Sequence, residues 1–192
     1  MASLIATGWH LARRFIDSLW PGPPATLDET WAQSYLSDGE QTIWHRMSNP
    51  DRRHAIHVAR TVVDAFGGEV DDQVVVAALL HDCGKVVSQL GTMSRVGATL
   101  LWAVIDDSRA SRWLDAPSTL GRRLAQYRRH PQLGAVLLAA VDSDLLVVSW
   151  AGEHHLGPHA WTVAPEIANV LRACDVPSWG ARLRGLANEV RR

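Results

Sequence analysis

Cysteine is nearly absent from this 192-residue chain, with only Cys83 and Cys174. Two thiols are too few for a disulfide framework and lack the paired spacing of a zinc ribbon or finger, so a reducing, cytoplasmic setting is expected. Lysine is scarcer still: of 19 cationic side chains, Lys85 is the single lysine and the rest are arginine. Against 20 Asp plus Glu they leave a net charge of −1, which argues against a large nucleic-acid or acidic-membrane footprint. No uninterrupted apolar run is long enough to span a membrane. The opening MASLIATGWHLARRFIDSLWPG lacks the leading charge and clean apolar stretch of a secretory leader, so none is expected. Phe and Tyr number two each against nine Trp. The tryptophans form no local motif and read as core and interface packing.

Strand signals are also scarce, and what is present is helical periodicity. Leu4, Ile5, Trp9, Ala12, Phe15, Ile16 and Leu19 recur at helical spacing, which predicts a helix that packs on the core or on a dimer partner rather than a membrane surface. After the break PGPPAT, Thr26 with Glu29 and Ser37 with Glu40 each predict a capping box. Asn49-Pro50 predicts a helix with Asn49 as its cap, running to the Gly67-Gly68 stop. A further helix from Asp71 carries VVVAALLHD to Gly84. Helices are expected around Arg95 to Ile105, over GRRLAQY, from His130-Pro131, over DLLVVSWAGEHH, over APEIANVLRACD and from Trp179 to Val190. VVVAALL and DLLVV could be buried strands on β-branched content alone, but both segments continue at helical spacing. The expected fold is all-α: an N-terminal helical extension over residues 1–45 packed on a multi-helix bundle over residues 46–192.

The stretch ALLHDCGK (78–85) ends a core-forming helix in adjacent His81 and Asp82. Neighbouring helical side chains point about 100° apart, so the two face one point only if something lies at the helix end between them. A metal ion would satisfy that demand, with an imidazole on one side and a carboxylate able to bind or bridge on the other. A buried pair bonded to backbone would satisfy it as well. Further ligand types recur on successive segments: His54 and His57 three apart, His130 at a helix start, His154-His155 at a helix end, and Asp175 in RACDVPS. Each has a plain structural alternative when taken alone.

Taken together, the set resembles the HD-domain superfamily of metal-dependent phosphohydrolases over roughly residues 45 to 180, with ALLHDCGK and HPQLGAVLL close to that family's wording. The resemblance implies that His54, His81, Asp82 and Asp175 hold one divalent cation and that His130, His154 and His155 hold a second. The ions would be drawn from Mn, Fe, Co, Ni, Mg or Zn. It further implies that Asp82 bridges them and that Lys85 holds the anion of a small-molecule phosphate ester. Arg129, beside His130, is a further candidate for the substrate phosphate, and Arg128 a weaker one. His57 stands where the family commonly has arginine, so His54 ranks first as ligand. The text EHHLGPHAW lacks the acidic residue and Gly-Tyr-Pro element of the cyclic-dinucleotide phosphodiesterases, which disfavours that substrate.

Cys83 and Cys174 flank the two aspartates and are expected as reduced, buried packing residues near each other. The expected activity is hydrolysis of a phosphate monoester or diester, plausibly of a nucleotide or nucleotide-like molecule, by a water activated between two cations. Two rivals remain: a di-iron oxygenase of a small alcohol or phosphonate on the same fold, and a non-catalytic ligand-binding or sensory module.

Overall fold

The structure is a computed structural model, and it describes residues 22–88 and 119–175. The expected helices over 4–19, 95–105 and 179–190 lie outside the described residues. Within them every regular element is helical: α1 Thr26–Gln33, α2 Asp38–Trp44, α3 Asn49–Ala65, α4 Asp72–Leu80, α5 Lys85–Ser88, α6 Thr119–Arg128, α7 His130–Ala139, α8 Leu145–Glu153, a 3-10 turn Pro158–Ala160, and α9 Pro165–Asp175. The fold is an all-α multi-helix bundle. The segments VVVAALL and DLLVV are both helical.

Helix starts follow local side-chain chemistry, with two departures. Ser37 and Glu40 form the expected capping box, the Glu40 carboxylate accepting from the Ser37 amide at 2.9 Å. Thr26, however, lies inside α1, whose cap is Ala25 with no side-chain bond. The reason lies in Glu29. It is drawn away from the helix end to accept from Gln33 at 3.0 Å, Trp44 Nε1 at 2.7 Å and Arg52 at 2.7 Å. At α3 the cap is Ser48 rather than Asn49. Its hydroxyl accepts from the Asp51 amide at 3.3 Å, which leaves Asn49 and Pro50 in the first turn. The helix ends as expected, at Gly67 and Gly68 with φ of +69° and +90°.

Helix α4 occupies the centre. Every residue from Val74 to Leu80 is buried, so it has no solvent face and needs neighbours on all sides. α3 and α8 pack against it, α7 packs on α8, and α9 and α1 pack on α3. Each fully buried Val or Leu there stabilises the fold by roughly 1.5–3 kcal/mol. Trp44 and Trp150 are among the largest fully buried side chains, while Trp31 and Trp161 pack at the core's edge. Ala32, Leu36, Ile43 and Trp44 belong to the same buried cluster as α3 and α4, so residues 26–44 share one core with the bundle. No helix among the described residues is long and apolar enough to cross a membrane.

Candidate metal centre

The ends of the helices around α4 bring seven of the expected ligand residues together. His81 is the C-cap of α4, His154 the C-cap of α8, Asp175 the last residue of α9 and His130 the first of α7. His54, in the second turn of α3, places Nε2 3.0 Å from Asp175 Oδ1. His57, on the same helix, is exposed. Two groups result: His54, His81 and Asp175, and His130, His154 and His155. In each, the ligand atoms lie within 4.8 Å of one another. Asp82 stands between them. Its Oδ2 is 3.5 Å from His81 Nε2, and its Oδ1 is 3.1 Å from His130 Nε2 and 3.7 Å from His154 Nε2.

Each buried imidazole is oriented by the carbonyl three residues before it. Nδ1 of His81 lies 2.9 Å from the Ala78 oxygen, that of His130 2.8 Å from Tyr127, and that of His154 2.9 Å from Ala151. A carbonyl only accepts, so Nδ1 carries a proton and Nε2 is the nitrogen turned into the site. For His81 and His154 that carbonyl is one a helix end leaves unpaired, so the helix terminus itself sets the tautomer.

All three Nε2 atoms are buried and have no hydrogen-bond partner. What faces them is carboxylate oxygen, with Asp175 Oδ1 a further 3.3 Å from His81. Acceptors facing acceptors in a buried site repel unless a cation lies among them. One proton answers part of the problem: burial alone would lower His81, but Asp82 and Asp175 outweigh it and raise it to about 10. The same remedy fails at His154, which burial and the neighbouring His81 lower to about 2, and at His155, which burial and His130 lower to about 4. Neutral imidazoles beside ionised carboxylates form a donor set that fits a divalent transition ion. Burial would raise both aspartates, yet Lys85 and His81 hold Asp82, and His54 and His81 hold Asp175, well below the usual carboxylate range.

Lys85 pairs with Asp82 Oδ2, so its ammonium sits at the site. Burial opposes its charge, but Asp82 and Asp51 outweigh burial and raise its pKa. Arg129 remains exposed at the turn before α7. Both cysteines are free, but only Cys83 is buried. Its Sγ turns to the Gly134 carbonyl at 3.9 Å, and burial beside Asp82 pushes the thiol up to about 12. Cys174 is half-buried rather than buried.

Two positioning features escaped the reading of motifs. A Cβ on Gly84 would meet the His130 oxygen at 2.0 Å and the Gly134 nitrogen at 2.5 Å. The turn after Asp82 therefore lies directly on the start of α7, which brings His130 to Asp82. Glycine in a turn signalled chain reversal but not the backbone pressed against it. The second is Arg172, whose Nη1 donates to the main-chain oxygens of His154 and Leu156 at 2.9 Å each. No protein-family model, curated protein or solved structure matches this chain.

Proposed function

We propose that this chain is a metal-dependent phosphohydrolase acting on a small-molecule phosphate monoester or diester, such as a nucleotide or a nucleotide-like compound. The observation that carries the reading is the convergence of three buried Nε2 atoms without a hydrogen-bond partner on carboxylate oxygens. The order of ligands along the chain, which resembles that of the HD-domain superfamily, supports the phosphate-ester chemistry.

His54, His81 and Asp175 would hold one divalent cation and His130, His154 and His155 a second, with Asp82 shared between them. Bound there, the cations would supply Lewis acidity and a water acidified toward neutrality. The protein's own part is orientation and charge. The backbone-bonded imidazoles hold Nε2 already aimed, so little ordering remains to be done when ligands engage. Lys85 keeps a fixed positive charge beside Asp82, where oxygens of a phosphate ester gather charge as the P–O bond breaks.

The test is a panel of phosphate mono- and diesters offered to protein reconstituted separately with Mn, Fe, Co, Ni, Mg and Zn, after metal analysis. At least one ion should support turnover, and His81→Ala should remove it. Failure of every ion with every ester overturns the hydrolase reading. Oxygen uptake by the iron form with an alcohol or phosphonate would replace it with an oxygenase, and nucleotide binding without turnover would replace it with a sensory module.

A further inference from the structure

Arg172 lies on α9, three residues before Asp175. One of its nitrogens donates to two main-chain oxygens at the end of α8, those of His154 and Leu156, at 2.9 Å each. A helix leaves its last carbonyls without amide partners and carries its partial negative charge there, so a cation bonded to them is doubly favoured. The same guanidinium carbon lies 5.7 Å from the Trp161 ring centroid. Glu153, just before the turn, holds the following loop by accepting from the Thr162 amide at 2.7 Å and hydroxyl at 2.5 Å. The 154–156 turn is thus clasped to α9 by Arg172 through its main chain.

Resting on the two-metal reading above, we propose that Arg172 is a positioning residue for the second metal group. It sets the His154–His155 backbone against α9 so that both imidazoles converge with His130 on one cation. It thereby couples that group to Asp175 in the first.

The two groups depend on Arg172 unequally. Asp175 is carried by α9, which packs on α3 and buries Ala168 and Leu171, so its place survives loss of one surface-side guanidinium. His54 and His81 stand on α3 and at the end of α4. His154 and His155, by contrast, stand at and beyond the end of α8. His155 is exposed, and its ring meets those of His130 and His154 at centroid distances of 4.9 and 4.3 Å. A small displacement of the turn moves two donor nitrogens together.

Cobalt titration of the metal-free full chain, followed by visible absorption and by metal analysis after desalting, reads the two binding events separately. The unsubstituted chain should take up two Co²⁺. Arg172→Ala should keep the first event at unchanged affinity and weaken the second about ten- to hundredfold, as removal of a ligand's supporting partner does. That profile would match His154→Ala, although Arg172→Ala keeps every donor atom. Arg172→Lys, with an ammonium in place of the planar fork, should fall between. Circular dichroism of the metal-free forms reports whether they are folded. If Arg172→Ala does not fold, Arg172→Lys alone decides, a weaker second event supporting the assignment and an unchanged one overturning it. Equal weakening of both events, or two full equivalents bound as tightly as before, overturns the role of Arg172. Fewer than two equivalents on the unsubstituted chain overturns the two-metal reading instead.

Discussion

Whether a histidine can serve as a metal donor depends on what its other nitrogen does. With Nδ1 bonded to a carbonyl, His81, His130 and His154 each present Nε2 without rotating or changing tautomer. Truncating His81 or Asp82 to Ala should therefore abolish metal retention and turnover together, measured by metal analysis and by the ester panel. Lys85→Ala removes charge but no ligand. It should keep the metal and lower kcat about a hundredfold, the usual effect of losing one charge-stabilising donor. The metal-free chain should also show a two-sided pH dependence. His154 and His155 are lowered from 6.5 to about 2 and about 4, so as pH falls below 6.5 the unfolded chain binds protons that the folded chain refuses, and stability drops. His81 is raised from 6.5 to about 10, so its contribution is complete below 6.5 and is lost as pH rises through about 10. The unfolding midpoint in chelator should peak near pH 6.5, and a steady rise from there to pH 10 would contradict the assignment.

At the scale of elements, helix ends carry the chemistry and helix middles carry the core. Val74 to Leu80 are buried on every side, which places the end of α4, and with it His81 and Asp82, deep in the bundle. The junction with α7 depends on two glycines in contact: a Cβ on Gly84 would lie 2.0 Å from the His130 oxygen, and one on Gly134 would lie 3.3 Å from the Gly84 nitrogen. Gly84→Ala must push the turn away from α7. The expected cost is about 1–3 kcal/mol, as for other overpacked sites, read from urea unfolding. Because the shift separates His130 from Asp82, metal content after desalting should fall as well. A Gly84→Ala protein with unchanged stability would show that the turn relaxes freely.

Across the whole molecule, the site gathers two carboxylates and five imidazoles, and Lys85 and the proton on His81 add positive charge there. A cation that binds only the folded arrangement adds directly to stability, by roughly 2.7 kcal/mol at a concentration a hundred times its Kd. Chelation should lower the thermal midpoint, and readdition of Mn²⁺ or Co²⁺ should restore it. The same addition to His81→Ala should shift the midpoint far less, which separates the site from general ionic effects.

Much was already present in the order of residues. Helical periodicity, the Ser37–Glu40 box and the Gly67-Gly68 stop depend on neighbours a few positions apart, so they could be read locally, as could the ligand types around ALLHDCGK. Local rules went astray where a distant partner competed. Glu29 left Thr26 for Trp44 and Arg52; at α3 the shift was local, with Ser48, one residue before Asn49, bonding the Asp51 amide. Among the described residues, the helical segments and the candidate ligand types could be read from local residue order. The folded packing set the rest: α3, α4, α7, α8 and α9 place those side chains around Asp82, and Gly84 and Arg172 hold the helix ends together. Those outcomes depend on packing between residues far apart in the chain, whose distances no local spacing encodes.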